Sequence, residues 1–202
     1  MTHLFPRPSA LPVRACRPHW LLAVASLIGG GAAPAADFSN GLGAGADQGR
    51  VACIASAPCD RRSTQWKLFA GYHVSDGIEL QALYFDAGHF SGGDTAPLGT
   101  EFGGRFKVNG FGMTAGYRWA FAPAWSLAAR AGVASVRTRF DYADPVWGSA
   151  RQTTTQPFLG LGIGYAVTPT LRLGIDYDAT RFKVHTRRGP LQMFSLSSQF
   201  FF

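Results

Sequence analysis

The chain has 202 residues, 47% of them hydrophobic and 15% charged, with 19 Lys and Arg against 12 Asp and Glu, and 25 glycines. Its longest apolar run lies near the start and falls short of the ~20 residues that a membrane-spanning helix takes, so helical insertion is excluded and entry into a membrane requires strands. Beyond residue 35 the balance is 16 basic against 12 acidic residues, a mild surplus with no basic-aromatic motif for nucleic acid, in a length that suits one domain.

The first segment carries Arg7, Arg14 and Arg17, then the apolar run from Trp20 to Ile28, then glycines and Ala33-Pro34-Ala35. A basic region, a short apolar core and a small-residue site in that order predict a secretory signal peptide over residues 1–35, leaving 36–202 as the mature domain. Cys16 precedes the apolar core, whereas a lipoprotein cysteine follows it, so Cys16 is expected to leave with the signal. Cys53 and Cys59 remain, six residues apart in a polar segment with Asp60, Arg61 and Arg62. In an exported chain that spacing suits a local disulfide bracing a loop. No further Cys and no paired His accompany them as zinc ligands, and neither a metal nor a cofactor is expected.

Downstream, apolar and other residues alternate with period two, which predicts strands. Eight stretches are read, near 37–45, 64–74, 77–91, 101–120, 124–142, 152–167, 170–185 and 191–202; the first is weakest, because Gly41-Leu-Gly-Ala-Gly45 has few side chains to alternate. The connections alternate too. Residues 75–76, 121–123 and 168–169 read as tight turns, and 46–63, 92–100, 143–151 and 186–190 as longer polar loops. Short turns on one side and long loops on the other are the pattern of an outer-membrane barrel. The fold class expected is all-β, an eight-stranded antiparallel up-and-down transmembrane β-barrel.

Parity assigns two faces. Trp66, Leu68, Ala70, Tyr72 and Val74 share one face of their strand and Lys67, Phe69, Gly71 and His73 the other; the strands around Phe111 to Trp119, Leu159 to Val167 and Leu171 to Tyr177 divide likewise. Tyr72, Tyr117, Trp119, Trp125 and Tyr165 gather near the short turns, as an aromatic girdle at a membrane interface does. The apolar face is therefore assigned to lipid and the glycine and charge face to the interior.

On these residues the chain resembles the OmpA-like transmembrane β-barrel family of Gram-negative bacteria. The resemblance rests on Gln65 to Tyr72 after a cysteine loop, Ile78 to Gly88, Gly160 to Tyr165, Leu171 to Tyr177 and the terminal aromatic strand, and covers nearly all of the mature chain. It implies the cell outer membrane, a monomer, lipid contact, and a last strand with Phe200 and Phe202 that the barrel assembly machinery reads. Larger members carry a peptidoglycan-binding domain after the barrel, and that anchoring is not expected here. The terminal strand, with Phe194, Leu196, Ser198, Phe200 and Phe202 toward lipid, is expected to pair with the weak first strand.

The inward set comprises Lys67, Glu79, Arg118, Arg130, Arg172, Asp176 and Asp178, and since buried charges must be paired, ion pairs are expected among Glu79, Arg130, Arg172 and Asp176. Eight strands enclose an interior just wide enough for side chains to fill. That leaves a polar core plugging the barrel and a narrow channel as alternatives. Near the long loops, parity turns Arg105, Lys107, Arg137, Arg139, Arg151, Arg181 and Lys183 toward the outside. Arginine forks suit phosphate, so this belt is a candidate contact for lipopolysaccharide, beside the alternative of a solvated rim. Leu83, Phe85, Phe106, Val108, Val136, Phe140 and Phe182 turn inward at the same level, as a plug or as the lining of a small pocket, unless a β-bulge reverses the parity. Inward glycines are expected to leave space lower down.

Small outer-membrane barrels include lipid-modifying enzymes, which would need a nucleophile or activated water, a His and an orienting acid. The mature chain offers His73, His89 and His185; His185 is followed by Thr186 and Arg187 rather than by a serine two residues on, as in the deacylases. No enzyme is expected. A structural or surface-interaction role is, with loops on a rigid scaffold carrying specificity and the first loop, with Cys53, Cys59, Arg61 and Arg62, as candidate contact for a host or envelope surface ligand.

Overall fold

A computed structural model describes residues 38–50, 59–95, 101–184 and 187–202. Eight strands follow one another: β1 Phe38–Gly49, β2 Arg62–Ser75, β3 Ile78–Thr95, β4 Glu101–Ala120, β5 Trp125–Tyr142, β6 Ser149–Thr168, β7 Leu171–Val184 and β8 Arg187–Phe201. Each pairs antiparallel with the next and β1 pairs with β8, closing the barrel. The expected signal peptide, Cys53 and His185 lie outside the described residues, whereas Cys59 is disulfide-bonded.

Closure leaves no sheet edge in the hydrocarbon, where an unpaired backbone group costs several kcal/mol. The seam between β1 and β8 runs from Ser39 opposite Phe201 to Gly49 opposite Leu191. Below it, Phe202 donates its N–H to the Phe38 carbonyl at 3.1 Å and accepts the Phe38 N–H at 3.4 Å. The glycines that hid β1 from the periodicity are what let it fit: a Cβ at Gly45 would collide with the Phe194 carbonyl of β8, and one at Gly41 with the Phe69 ring.

Following directly opposed residues around the barrel gives its stagger. From Ile163 the path runs through Ile175, Leu196, Ala44, Trp66, Asp86, Asn109 and Arg137 back to Thr153 of the starting strand, a displacement of ten residues. Strand number, stagger and tilt are linked, and this stagger belongs to a narrow barrel whose strands lean about 40° from the axis.

Strands reach further out than the alternation suggested, and the long connections shrink. Residues 46–49, 62–63 and 149–151, expected in loops, continue β1, β2 and β6, while Pro145–Trp147 form a one-turn 3-10 helix between β5 and β6. Polar outward residues conceal a strand that has left the lipid, because alternation then lacks its apolar half. The bulge that could reverse parity occurs once in β3, between Asp86 and His89 around Gly88, whose φ is +66°. Beyond it Phe90 points inward, as Phe85 does before it.

Candidate functional site: the lumen and the outer rim

Outward positions near the short turns are apolar and exposed, among them Leu68, Tyr72, Met113, Tyr117, Trp119, Leu161 and Ile175. Two aromatic rings bound them. Phe38 stacks on Tyr72 and Trp125 on Tyr165 near the short turns, while Trp66 meets Tyr84 and Tyr177 meets Phe194 further out. The outer ring escaped sequence reading, although these four residues have the outward parity. On β4 the interval from Trp119 to Phe111 is eight residues, about 20 Å in depth at ~3.3 Å per residue and the barrel's tilt, which with the rings themselves matches an apolar band of about 25 Å.

Behind this band the lumen is charged and closely knit. Lys67 lies 2.7 Å from Asp178 and 3.0 Å from Asp176, and Arg130 reaches the same aspartates at 2.7 Å and 3.3 Å. One layer toward the short turns, Arg118 donates to Glu79 at 2.8 Å and to the Gln199 carbonyl oxygen at 2.9 Å. Ser39 and the Gln199 amide both donate to Glu79, at 3.0 and 2.9 Å. Arg172 departs from its expected role. Its Nε and Nη1 have no hydrogen-bond partner, no ion pair joins it to a carboxylate among the described residues, and its guanidinium sits 4.7 Å over the Phe201 ring. Competition explains this: Arg118 occupies Glu79, and Lys67 and Arg130 saturate the two aspartates.

The inward glycines leave little room. Arg130 lies against Gly160, Asp176 against Gly162 and Arg172 against Gly164, so that a Cβ at any of the three would strike the neighbouring side chain. Small residues thus accommodate long charged ones. Two cavities of about 30 and 20 Å³ remain among these side chains.

Beyond the outer ring the polarity inverts. Phe85, Phe90, Phe140, Val108 and Val136 are fully buried inside, with Phe106 4.5 Å from Phe140 and 6.3 Å from Phe182. Leu83 belongs to the same buried cluster. Outward at the same level stand Arg105, Arg137, Arg139, Arg151 and Arg181, exposed, with Lys107 and Lys183 partly so. Arg139 pairs with Asp141 at 2.7 Å and Lys107 approaches Asp86 at 3.9 Å; among the described residues no carboxylate pairs with the other five. Arg139 faces Arg151 directly across the β5–β6 ladder and Lys183 faces Arg188 across β7–β8, juxtapositions that are unfavourable without an anion between them.

Of the histidines, His73 lies 3.3 Å from Arg118 and 3.8 Å from Glu79 at the short-turn end, and His89 is exposed beside the bulge. Arg61 and Arg62 follow Asp60, which bridges to Ser91 of β3. Phe200 and Phe202 face outward in the lower ring.

A model of the outer membrane protein beta-barrel domain matches residues 21–195. The chain belongs to this family. No curated protein sequence matches it significantly. Among solved structures, neisserial surface protein A is similar at 16% identity and a TM-score of 0.62, over 84% of this chain and 100% of that one. OprG of Pseudomonas aeruginosa follows at 11% identity and 0.55, over 83% and 97%. The N-terminal β-barrel domain of OprF from the same organism is similar at 16% and 0.51, over 84% and 100%. At these identities the likeness is one of fold. As a member of this outer-membrane family, the barrel sits in the outer membrane of a Gram-negative cell, with its short turns toward the periplasm and its long-loop end outside.

Proposed function

We propose that this barrel is a non-catalytic surface-interaction protein whose outer basic belt holds the phosphates of lipopolysaccharide. The observation that carries the reading is the placement of the belt. Its residues begin immediately beyond the outer aromatic ring, where the phosphorylated sugars of that leaflet lie, and five of its seven charges form no ion pair with a carboxylate among the described residues. Arginine forks bind phosphate bidentately. The closed lumen supports a structural rather than a conducting role, and the Ser39 hydroxyl is bonded to Glu79 rather than to a histidine, which does not favour acyl transfer.

Reversing Arg137, Arg139, Arg181 and Lys183 to Glu is expected to abolish binding of purified lipopolysaccharide to the folded barrel, read by surface plasmon resonance. Unchanged binding would discard the belt. The wild-type interaction is also expected to weaken as salt rises, since exposed charge pairs are screened over about 8 Å at physiological ionic strength.

A further inference from the structure

On the lipid-facing wall a groove of about 720 Å³ crosses β4 to β7. Ala115, Ala129, Ala131 and Ala179 lie low in it, Leu159 and Leu161 of β6 stand between the alanines of β5 and β7, and Tyr117 and Tyr177 stand at its sides. Around it the wall carries large side chains such as Phe111, Met113, Leu173, Ile175 and Leu196, so the small residues of the groove make a depression in a surface that lipid must cover. Its course is diagonal, from Tyr117 of the inner ring to Ala179 at the level of the outer ring.

The outer end of the groove opens beneath cations. Arg181 is the next outward residue after Ala179 on β7, and Arg137 follows Ala131 by six residues on β5, about 15 Å in depth at ~3.3 Å per residue and the barrel's tilt. Both are exposed. That interval is comparable to one leaflet's hydrocarbon, roughly half of the ~30 Å core. Between them the β6–β7 ladder has already stopped at Leu159 and Ala179, and the outward side chains of Thr153 and Thr155 on β6 add no bulk and no acid.

We infer that the groove seats one acyl chain of a phosphorylated, multiply acylated glycolipid whose phosphates lie on Arg137 and Arg181. The inference rests on the belt reading and adds an acyl site and a stoichiometry to it. Charge selects the occupant. Two uncompensated guanidinium groups, with Arg151 and Lys183 further out, match a headgroup bearing more than one phosphate better than the single phosphate of a glycerophospholipid. A second copy of this chain fits poorly, because copies inserted in the same direction and related by a twofold axis along the membrane normal would bring the two arginines against their own images.

Native mass spectrometry of the folded barrel in mixed micelles of lipid A and phosphatidylglycerol tests this. One lipid A is expected to be retained per barrel in preference to phosphatidylglycerol. Filling the groove with Ala129→Leu and Ala131→Phe is expected to weaken lipid A retention about tenfold, the loss of a few buried methylene contacts, while binding of the deacylated, phosphorylated core sugar stays unchanged. Both substitutions point into lipid and spare the lumen, and heat-modifiable gel mobility checks folding. As a measurement without bulk, a spin label at Ala131→Cys should lose mobility when lipid A is added and not when phosphatidylglycerol is. Full lipid A retention by the filled barrel, or equal retention of phosphatidylglycerol by the wild type, overturns the acyl site. Loss of both ligands on Arg137→Glu with Arg181→Glu supports the belt independently, and no effect of that pair would overturn the belt itself.

Discussion

Asp178 is fully buried and receives both Lys67 and Arg130. Replacing it by Asn leaves two cations to share Asp176, and breaking a buried pair by removing one partner costs about 3–5 kcal/mol. Arg172→Gln is expected to change stability little, because Arg172 has no carboxylate partner and loses mainly its contact with Phe201. Urea unfolding of the barrel in lipid vesicles, followed by tryptophan fluorescence, distinguishes the two; equal destabilisation would contradict the assignment of the ion pairs. Parity alone turned all seven charged residues inward. It could not say who pairs with whom, since Lys67 and Asp178 belong to strands far apart in sequence and meet only across the bore, and that distance is set by the stagger rather than by any local pattern.

Strand existence was legible because the lipid side demands an apolar residue at every second position, and it faded where that demand ends. β6 shows the limit. Its outermost residues, 149–151 with Arg151 outward, read as polar loop, yet the strand pairs with β5 to its end at Ser149. Its ladder with β7 stops early, and Pro157 supplies the reason. The Pro157 carbonyl accepts a hydrogen bond from the Thr180 hydroxyl at 2.9 Å, so its backbone polar side faces β7, where proline has no N–H to offer. The break lies beyond the outer aromatic ring, where water can satisfy the freed groups; within the hydrocarbon it would cost several kcal/mol. Pro157→Thr restores the missing donor and is expected to extend the β6–β7 ladder by one step or more, seen as slower amide hydrogen exchange at Arg181 and Lys183. Unaltered exchange there would assign the gap to strand divergence instead.

Across the whole molecule, one alternation serves two solvents. In the lipid the barrel is inside out, with charges within and leucines without; beyond the outer ring it resembles a water-soluble barrel, with phenylalanines within and arginines without. Except in β3, where the bulge around Gly88 exchanges the faces, both halves keep one parity, so the inversion is carried mainly by which residue type occupies each level of the strands, and the aromatic rings mark where the environment changes. The consequence for transport follows from the two fillings in series. An ion entering from outside meets a section packed with Phe85, Phe106 and Phe140, where an unpaired charge costs several kcal/mol or more, and then a section where Lys67, Arg130 and both aspartates already hold each other. Planar-bilayer recordings of the purified wild-type barrel are expected to show no conductance above the empty membrane. Breaking only the inner filling, with Asp178→Asn, should also leave the barrel silent, because the aromatic section still seals it. Discrete current steps from that variant would mean that the plug opens, and that the ion pairs rather than the phenylalanines keep the wild type closed.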